Sequence, residues 1–281
     1  MSALTLDALI DARLAALAGR SDGALLGRRI ELHARIGSTN DRARELASQG
    51  EPEGTVVVAE EQTLGRGRAA RSWHSAAGLG VYLSALLRPE TAPSRAPMLG
   101  LMAAVAAREA LSRRSLAPLC IKWPNDILAE DRATGRRRKL AGILVEARTT
   151  PEAVRDLVVG AGVNVNHTHE DFPPDIAATA TSLRILSGAV HDRAEVAAAL
   201  IAALEEWYTL WKRRGEGPIL EAFRSMAPDL EGRRVRVSDG AAVWVGTSGG
   251  LTSDGALRVL PDGSSAPREV RYGDVTRVEE A

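Results

Sequence analysis

The chain has 281 residues, 45% of them hydrophobic and 26% charged, and its 36 Lys and Arg balance its 36 Asp and Glu. Such proportions are typical of a soluble globular protein, and the zero net charge provides no overall attraction to nucleic acid or to an anionic membrane. The single cysteine, Cys120, excludes an internal disulfide, and no apolar run approaches the ~20 residues of a membrane helix, so we expect a cytoplasmic protein.

Hydrophobic periodicity and turn residues predict that helices and strands are mixed along the first 228 residues. The predicted helices span 5–18, 42–49, 94–112, 193–213 and 217–227. The predicted strands span 29–36, 55–60, 79–87, 119–123, 140–147 and 157–165. The last two of these strands are rich in Val and Ile, which indicates that they lie in the buried interior of a sheet.

The composition changes after Pro228. From there on, short segments of alternating valine and arginine are separated by turn sequences such as 238–240 and 261–263, both of which end in Asp-Gly. Turns at this density predict a small antiparallel barrel of about 50 residues. We therefore expect an N-terminal helical extension over 1–28, a large domain over 29–228 and the barrel over 229–281.

Residues 61–73 read EQTLGRGRAARSW in one-letter code and carry the strongest functional signal. Three arginines, Arg66, Arg68 and Arg71, lie among glycines that allow backbone N–H groups to approach a ligand closely. Because the arginine fork matches phosphate and carboxylate oxygens, residues 64–72, here called the Arg loop, are predicted to close over an anion and to become ordered when it binds. From these residues alone, a solvated basic loop or an RNA contact is an equal alternative.

A second segment, residues 122–126, combines charge and an aromatic ring at the end of a predicted strand. It reads Lys-Trp-Pro-Asn-Asp, and side chains at a strand end can point into a cleft. The alternative is a structural turn in which Trp123 packs, Pro124 stops the strand and the Asn-Asp pair forms the bend.

Lys139 immediately precedes the apolar run 140–146. A lysine at the mouth of a buried strand can deliver a point charge into a site, although a solvated flanking lysine is the more common arrangement. The three arginines before it, 136–138, are interpreted as a solvated basic turn.

Two further segments have polar or small residues where a plain structural element does not need them. Gly160 and Gly162 interrupt the apolar strand 157–165, and glycine weakens a strand unless something approaches its backbone closely. Residues 37–40, Gly-Ser-Thr-Asn, offer hydroxyl and amide groups for binding, or simply the N-cap of the helix that follows. The stretch 167–171, His-Thr-His-Glu-Asp, contains metal-ligand residue types but follows a strand in a proline-rich loop, so we interpret it as a loop.

Taken together, these segments resemble the biotin–protein ligases, which adenylate biotin and attach it to a lysine of a carrier protein. Five segments occur in the order found in that family, and the resemblance spans residues 30–279 because family members also end in an SH3-like barrel. The five segments are 37–40, 62–68, 122–126, 139–146 and 160–164. The resemblance implies an α+β fold, a mixed sheet flanked by helices as in class II aminoacyl-tRNA synthetases, followed by a small SH3-like β-barrel.

The resemblance also implies how the site is divided between substrates, with 29–228 as the catalytic domain. It assigns catalysis to Arg66, Lys139 and Asp126. It assigns biotin binding to Ser38, Thr39, Asn40, Gln62, Arg66, Gly67, Arg68, Lys139, Gly142, Gly160 and Gly162. It assigns binding of ATP and the adenylate to Arg66, Arg68, Arg71, Trp73, Lys122, Asn125, Lys139 and Asn164.

The cofactors implied are ATP and Mg²⁺, with biotin as substrate, and Mg²⁺ is expected on ATP oxygens with no dedicated protein site. The implied partner is the biotin carrier domain of biotin-dependent carboxylases, and the protein is expected to be a monomer or a homodimer. Only 37 residues precede Ser38, fewer than the winged helix-turn-helix domain of bifunctional members occupies, so we expect no DNA binding. Ala70 stands where the family loop commonly has a third glycine.

Two other functions remain as alternatives at this point. A lipoate or octanoyl attachment enzyme shares the implied fold but would have a long apolar acyl pocket, and the Gly-Arg-Gly-Arg sequence of 65–68 together with Lys-Trp-Pro-Asn-Asp of 122–126 argues against it. A nucleic-acid-binding module could use the Arg loop together with the barrel, but the zero net charge disfavours it.

Overall fold

The computed structural model describes residues 24–130, 135–238, 240 and 242–278. The helix predicted over 5–18 lies outside these residues. The helices are α1 (Thr39–Ser48), α2 (Ala96–Ser112), α3 (Leu183–Ser187), α4 (Arg193–Arg214) and α5 (Gly217–Met226). The strands are β1 (Arg29–His33), β2 (Thr55–Ala59), β3 (Gly80–Leu87), β4 (Leu119–Lys122), β5 (Asp126–Glu130), β6 (Arg137–Thr149), β7 (Val154–Asn164), β8 (Glu231–Ser238), β9 (Val243–Leu251), β10 (Leu257–Pro261), β11 (Arg268–Val270) and β12 (Asp274–Arg277).

The first seven strands form one mixed sheet in the order β1-β2-β3-β7-β6-β5-β4. β1 and β2 run parallel, and the remaining neighbours are antiparallel. The long central strands β6 and β7 pair Gly142 with Gly162 and Leu144 with Gly160, while Gly160 is also opposite Ser84 of β3. Gly142 and Gly162 therefore lie side by side in the middle of the sheet, and Gly160 lies two residues before Gly162 on β7.

Helices cover both faces of this sheet, and the period of two along each strand divides the residues between them. On β2, Val56 and Val58 belong to the large core under α2 and α4, whereas Val57 packs with α1 on the opposite face. On β7, Val158 belongs to the α1 side. Because Gly160 and Gly162 follow Val158 at intervals of two residues, they face the same side, beyond the N-terminal end of α1.

The last five strands form a separate antiparallel sheet in the order β11-β10-β9-β8-β12. It contacts the larger sheet through the turn after β4, where the Trp123 indole N–H donates to the Gly255 carbonyl over 3.3 Å. The fold class is confirmed: a mixed sheet with flanking helices is followed by an all-antiparallel, barrel-type sheet. Within the residues that the structure describes, no helix has both the length and the apolar character needed to span a membrane.

Three local expectations differ from the structure. Helix α1 begins at Thr39 rather than at residue 42, because the polar start of the helix is buried against the sheet. β5 was not predicted, since the Asn-Asp pair suggested only a turn, whereas Asp126 already pairs with Gly142 of β6. The solvated turn over 136–138 is wrong, because β6 begins at Arg137, whose guanidinium pairs with Glu130 and Asp229.

Candidate active site

A cavity of about 500 Å³ lies on the α1 face of the mixed sheet, between the Arg loop, the turn after β4 and the second sheet. Every residue that the sequence assigned to the site lines this cavity. They are Ser38, Thr39, Asn40, Gln62, Arg66, Gly67, Arg68, Arg71, Trp73, Lys122, Asn125, Asp126, Lys139, Gly142, Gly160, Gly162 and Asn164. The cavity thus brings together segments that are more than 120 residues apart in the chain.

One end of the cavity is polar and buried. The Gln62 amide oxygen accepts from the Thr39 backbone N–H at 2.8 Å and from its hydroxyl at 3.0 Å, and the Gln62 amide nitrogen donates to the Ser75 hydroxyl at 3.0 Å. Asn40 donates to the Glu146 carboxylate at 2.9 Å. Ser38 occupies the N-cap position of α1 but makes no capping bond with its side chain, so its hydroxyl is not used to cap the helix.

The floor between the two ends is made of the glycines, and two side chains lie directly on them. A Cβ on Gly160 would lie 2.0 Å from the Asn40 amide oxygen, and one on Gly162 would lie 2.5 Å from the Trp73 indole. Trp73 also covers Gly142, where a Cβ would be 2.9 Å from the ring. The glycines therefore leave room for the Asn40 amide and the Trp73 ring, and their approach to the ligand itself stays a prediction.

The other end of the cavity is cationic. The Lys139 ammonium lies 2.8 Å from the Asp126 carboxylate and 5.2 Å from the centre of the Trp73 ring. Lys122 lies 2.9 Å from Asp274, which is contributed by β12 of the second sheet. The turn interpretation of 122–126 and the cleft interpretation are thus both correct, because Trp123 packs while its charged neighbours face the cavity.

Arg66 and Arg68 have different environments. Arg66 points to the rim, where it pairs with both Asp41 and Glu146. Arg68 reaches inward, and among the residues that the structure describes its guanidinium bonds a neutral group, the Asn125 amide oxygen at 3.2 Å. Burial lowers the pKa of Arg68 although Asp126 and Asp274 oppose that effect. Since arginine stays protonated, the cavity holds a positive charge that the protein compensates incompletely.

The second sheet supplies one carboxylate to the cationic end. Asp274 contacts Lys122 and, at 3.4 Å, Arg71 of the Arg loop. Burial by itself would raise the pKa of Asp274, but Lys122, Arg71 and Lys139 outweigh burial and hold its pKa below the usual value. Asp274 is therefore an anion that links the Arg loop and the turn after β4 to the second sheet.

A loop that follows β7 covers the cavity from the side. Its backbone pairs with Lys139, whose N–H donates to Thr179 at 2.6 Å and whose carbonyl accepts from Thr181 at 2.9 Å. These two bonds fix the backbone of Lys139 on the edge of the sheet that faces the cavity. Among the residues described, no group of three His, Cys, Asp or Glu side chains is arranged to hold a metal ion, including those of 167–171.

Similarity to known proteins extends over most of the chain. A sequence model of the biotin/lipoate A/B protein ligase family matches residues 32–164. The chain is 36% identical over 233 residues to the bifunctional ligase/repressor BirA of Bacillus subtilis, covering 83% of this chain and 70% of that protein. It is 35% identical over 258 residues to a biotin–[acetyl-CoA-carboxylase] ligase of Mycobacterium tuberculosis, covering 89% of this chain and 90% of that protein. The chain belongs to the biotin/lipoate A/B protein ligase family.

A solved structure of the same family has the same architecture as this ligase. The biotin protein ligase from Aquifex aeolicus, in complex with biotin and ATP, matches with a TM-score of 0.73 at 27% identity, covering 90% of this chain and 100% of that one. Family membership and this structural match confirm the resemblance that the five sequence segments predicted.

Sequence reasoning missed four side chains of the ligase that take part in the site. Ser84 is a polar residue within the buried strand β3, which was a usable signal. Glu146 ends the 139–146 segment but received no role. Asp41 and Asp274 gave no signal, because an acidic residue after a helix start or in a barrel turn is ordinary. Their roles depend on distances across the fold, which the sequence does not contain.

Proposed function

We propose that this chain is a biotin–protein ligase that forms biotinyl-5'-AMP from biotin and ATP and then transfers biotin to a lysine of a carrier protein. The observation that carries the proposal is the arrangement of the cavity, which has a buried polar end and a cationic end joined by a floor of glycines and an indole. Such a cavity fits a molecule with a neutral polar head, an apolar body and a carboxylate that must meet a nucleotide phosphate.

The polar end suits the ureido ring of biotin. Ser38, Thr39, Asn40 and Gln62 offer hydroxyl and amide groups within a buried pocket, and a ureido group has two N–H donors and one carbonyl acceptor. An analogue without these groups would leave buried partners unsatisfied, at a cost of about 1–3 kcal/mol for each. The indole of Trp73 provides an apolar surface between the two ends for the bicyclic body and the chain of biotin.

The cationic end suits the joining of a carboxylate to the α-phosphate of ATP. A carboxylate oxygen attacks the α-phosphorus, a new C–O–P link forms and pyrophosphate leaves, so negative charge gathers on phosphate oxygens. Lys139 and Arg68 are placed to neutralise that charge, and Arg66 holds the loop closed from the rim. Mg²⁺ would arrive bound to ATP oxygens and neutralise the pyrophosphate, because the cavity carboxylates Asp126 and Asp274 are already paired with lysines.

In the second step a neutral carrier lysine attacks the acyl carbonyl, an amide bond forms and AMP leaves. Asp126 is the carboxylate next to Lys139 and is the candidate to orient the attacking amine and to receive its proton. Closure of the Arg loop excludes water, which would otherwise hydrolyse the mixed anhydride. In this proposal residues 29–228 bind both substrates and residues 229–281 complete the site from one side, in a cytoplasmic enzyme that acts on biotin-dependent carboxylases.

The test is to measure pyrophosphate release from ATP with biotin, lipoate and octanoate supplied separately, and then to label an isolated biotin carrier domain. We expect release and labelling with biotin alone. Equal turnover with lipoate or octanoate would show that the polar end does not select the ureido group and would replace the proposal with the acyl-attachment alternative. Release with biotin but no labelling of the carrier domain would contradict the transfer step only.

A further inference from the structure

Glu146 lies between the two parts of the site that must act together. It is the last residue of the 139–146 segment, on β6, and its side chain is 20% exposed. One carboxylate oxygen accepts from the Asn40 amide at 2.9 Å, on the floor of the polar end. The other pairs with Arg66 of the Arg loop. A single carboxylate thus contacts both the polar end and the loop that closes over the cavity.

The contact with Asn40 fixes which way that amide points. A carboxylate only accepts hydrogen bonds, so the nitrogen of the Asn40 amide must face Glu146 and its oxygen must face the opposite side. There the oxygen lies 2.6 Å from the hydroxyl of Ser84, which is fully buried and donates to it. Together with the Leu144 carbonyl, which accepts from the same amide nitrogen at 3.4 Å, Glu146 therefore sets where the polar end presents a donor and where it presents an acceptor.

The contact with Arg66 has a second anchor that is independent of the polar end. Asp41, the residue after Asn40 and on the exposed side of α1, pairs with the same guanidinium, and within the described part of the chain its side chain makes no hydrogen bond to the Asn40 amide. Glu146 and Asp41 together outweigh the effect of burial and raise the pKa of Arg66. Among the described residues, Asp41 and Glu146 both hold the loop through Arg66, and each also lies near Arg44 of α1, at 3.6 Å and 3.7 Å. Of these two carboxylates, Glu146 is the one that bonds the Asn40 amide.

We propose that Glu146 is a positioning residue that links occupancy of the polar end to closure of the Arg loop. The inference rests on the proposed function, because the occupant is taken to be biotin. A ureido group bonded at the polar end restrains the Asn40 amide, and a restrained amide holds Glu146 with its free oxygen towards Arg66. The hydrogen bond to Asn40 has then already ordered the Glu146 side chain, so its pairing with Arg66 loses less conformational entropy. Closing the loop therefore becomes more favourable when biotin is bound.

The variant Glu146→Gln in the full chain separates the two contacts. Glutamine keeps one oxygen for the Asn40 amide, but its other group is an NH₂ that cannot accept from Arg66. The matched control is Asp41→Asn, which weakens the same arginine without touching the pocket. For each protein we would measure biotin affinity by calorimetry and the rate of tryptic cleavage within 64–72, with and without saturating biotin.

We expect biotin to slow cleavage of the wild-type loop about tenfold or more, since couplings between sites are typically worth about 5- to 150-fold. In Glu146→Gln, biotin affinity stays within about threefold of wild type while the protection ratio falls to about twofold or less. In Asp41→Asn, cleavage accelerates with and without biotin, and the ratio is retained. If Glu146 had only a structural role, the protection ratio would change by the same factor in Glu146→Gln and in Asp41→Asn.

A second variant decides the matter should Glu146→Gln unfold. Ser84→Ala removes the donor that holds the other side of the Asn40 amide and leaves Glu146 and Arg66 intact, and we expect the protection ratio to fall here as well. A wild-type ratio in Glu146→Gln, or in Ser84→Ala if the first variant is unfolded, would overturn this inference alone. Failure of the wild-type protein to bind biotin would overturn the proposed function, and this inference with it.

Discussion

Lys139 and Lys122 are both ammonium groups in the cavity, but their charges are compensated from different directions. Lys139 is paired at 2.8 Å with Asp126, which lies on the neighbouring strand of the same sheet. Lys122 is paired with Asp274, which comes from the second sheet. The Lys139 ammonium also lies 5.2 Å from the centre of the Trp73 ring, which covers the glycine floor between the two ends of the cavity. It is therefore the cation best placed to meet charge that develops during the reaction.

Replacing Lys139 by alanine should impair adenylate formation far more than biotin binding. The ammonium is needed for charge shared between the carboxylate and the α-phosphate, and that charge exists only after ATP has bound. Loss of one such preorganised contact typically costs about 3–4 kcal/mol, or roughly 10²–10³ in rate. The measurement is single-turnover adenylation together with biotin affinity.

Two further variants control this experiment. Lys139→Arg should restore little activity, because a planar fork does not replace a point charge between Asp126 and the Trp73 ring. Lys212→Ala removes an exposed lysine at the end of α4, remote from the cavity, and should leave the rate unchanged. Adenylation by Lys139→Ala at nearly the wild-type rate would mean that Lys139 is only a flanking residue.

His167 makes stability depend on pH in the loop that covers the cavity. The ring is fully buried, stacks on Phe172 with 5.0 Å between centroids, and has no hydrogen-bond partner for either nitrogen within the described residues. Burial, together with the nearby His74, lowers its pKa from 6.5 to about 4, although Asp171 opposes the shift. The unfolded chain therefore binds a proton at His167 between pH 6.5 and 4 while the folded chain does not.

The free energy of unfolding should accordingly be fully retained above pH 6.5 and should fall as the pH drops towards 4, with His167 contributing a loss on the order of 3 kcal/mol. His167→Phe should flatten the profile in this window, whereas His169→Gln, an exposed histidine two residues further on, should not. Denaturant unfolding of the three proteins at pH 7, 6 and 5 makes the comparison. Parallel profiles for wild type and His167→Phe would show that this ring does not carry the pH dependence.

At the scale of whole elements, long apolar segments were predicted well and polar boundaries were not. The bounds of α2, β3 and β7 follow from runs of buried apolar residues, whose period reveals the element directly. The start of α1 was missed because Thr39 and Asn40 are polar yet buried, and β5 was missed because Asp126 suggested a turn. In each case a partner across the sheet or across the cavity overrides the local preference of the residue.

The contrast between local sequence patterns and contacts across the fold also explains which parts of the site could be predicted. Its residues were predicted because five short segments resemble a family, and the structure brings all of them to one cavity. The partners of these residues were not predicted, since Ser84, Glu146 and Asp274 act through contacts between segments that are distant in the chain. Likewise, the opposite orientations of Arg66 and Arg68 depend on which carboxylates surround the loop, which no local pattern determines.

Arg137, at the start of β6, is another residue whose role depends on partners that are distant in the chain. The sequence suggested an arginine that tolerates substitution, but its side chain is only 18% exposed and bonds Glu130 at 2.6 Å and Asp229 at 2.7 Å. Arg137→Ala should lower the free energy of unfolding by about 1–3 kcal/mol, because two carboxylates lose a partly buried partner. Arg155→Ala, an exposed arginine on β7, serves as the control. Equal unfolding midpoints in denaturant for the two variants would restore the solvated interpretation.

At the scale of the whole molecule, the second sheet joins the large hydrophobic core through buried residues such as Val235, Val259 and Val275, and polar contacts near the cavity add to this junction. Gly255, in the turn between β9 and β10, accepts from the Trp123 indole and lies against α2, where an added Cβ would be 2.7 Å from the Leu101 side chain. The same sheet carries Asp274, the anion paired with Lys122 and Arg71. The distance between the two sheets therefore fixes the charges at the cationic end.

Gly255→Ala should push the second sheet away from α2 without disrupting either sheet. The added methyl group overpacks the junction, a change that typically costs about 1–3 kcal/mol, and it displaces Asp274 from the two cations that it holds.

Gly263→Ala is the matched control, because Gly263 is also in a turn of the second sheet with a positive φ, +74° against +85° at Gly255, but has open space around its Cβ position. Both variants carry the backbone strain of an alanine at positive φ, so any difference between them reports the junction. We expect Gly255→Ala to be the less stable of the two variants and to slow pyrophosphate release from ATP and biotin several-fold more than Gly263→Ala does, at a temperature where both variants are fully folded. If both variants lose activity in proportion to their loss of stability, the position of the second sheet does not control the chemistry, and Asp274 serves only to hold the molecule together.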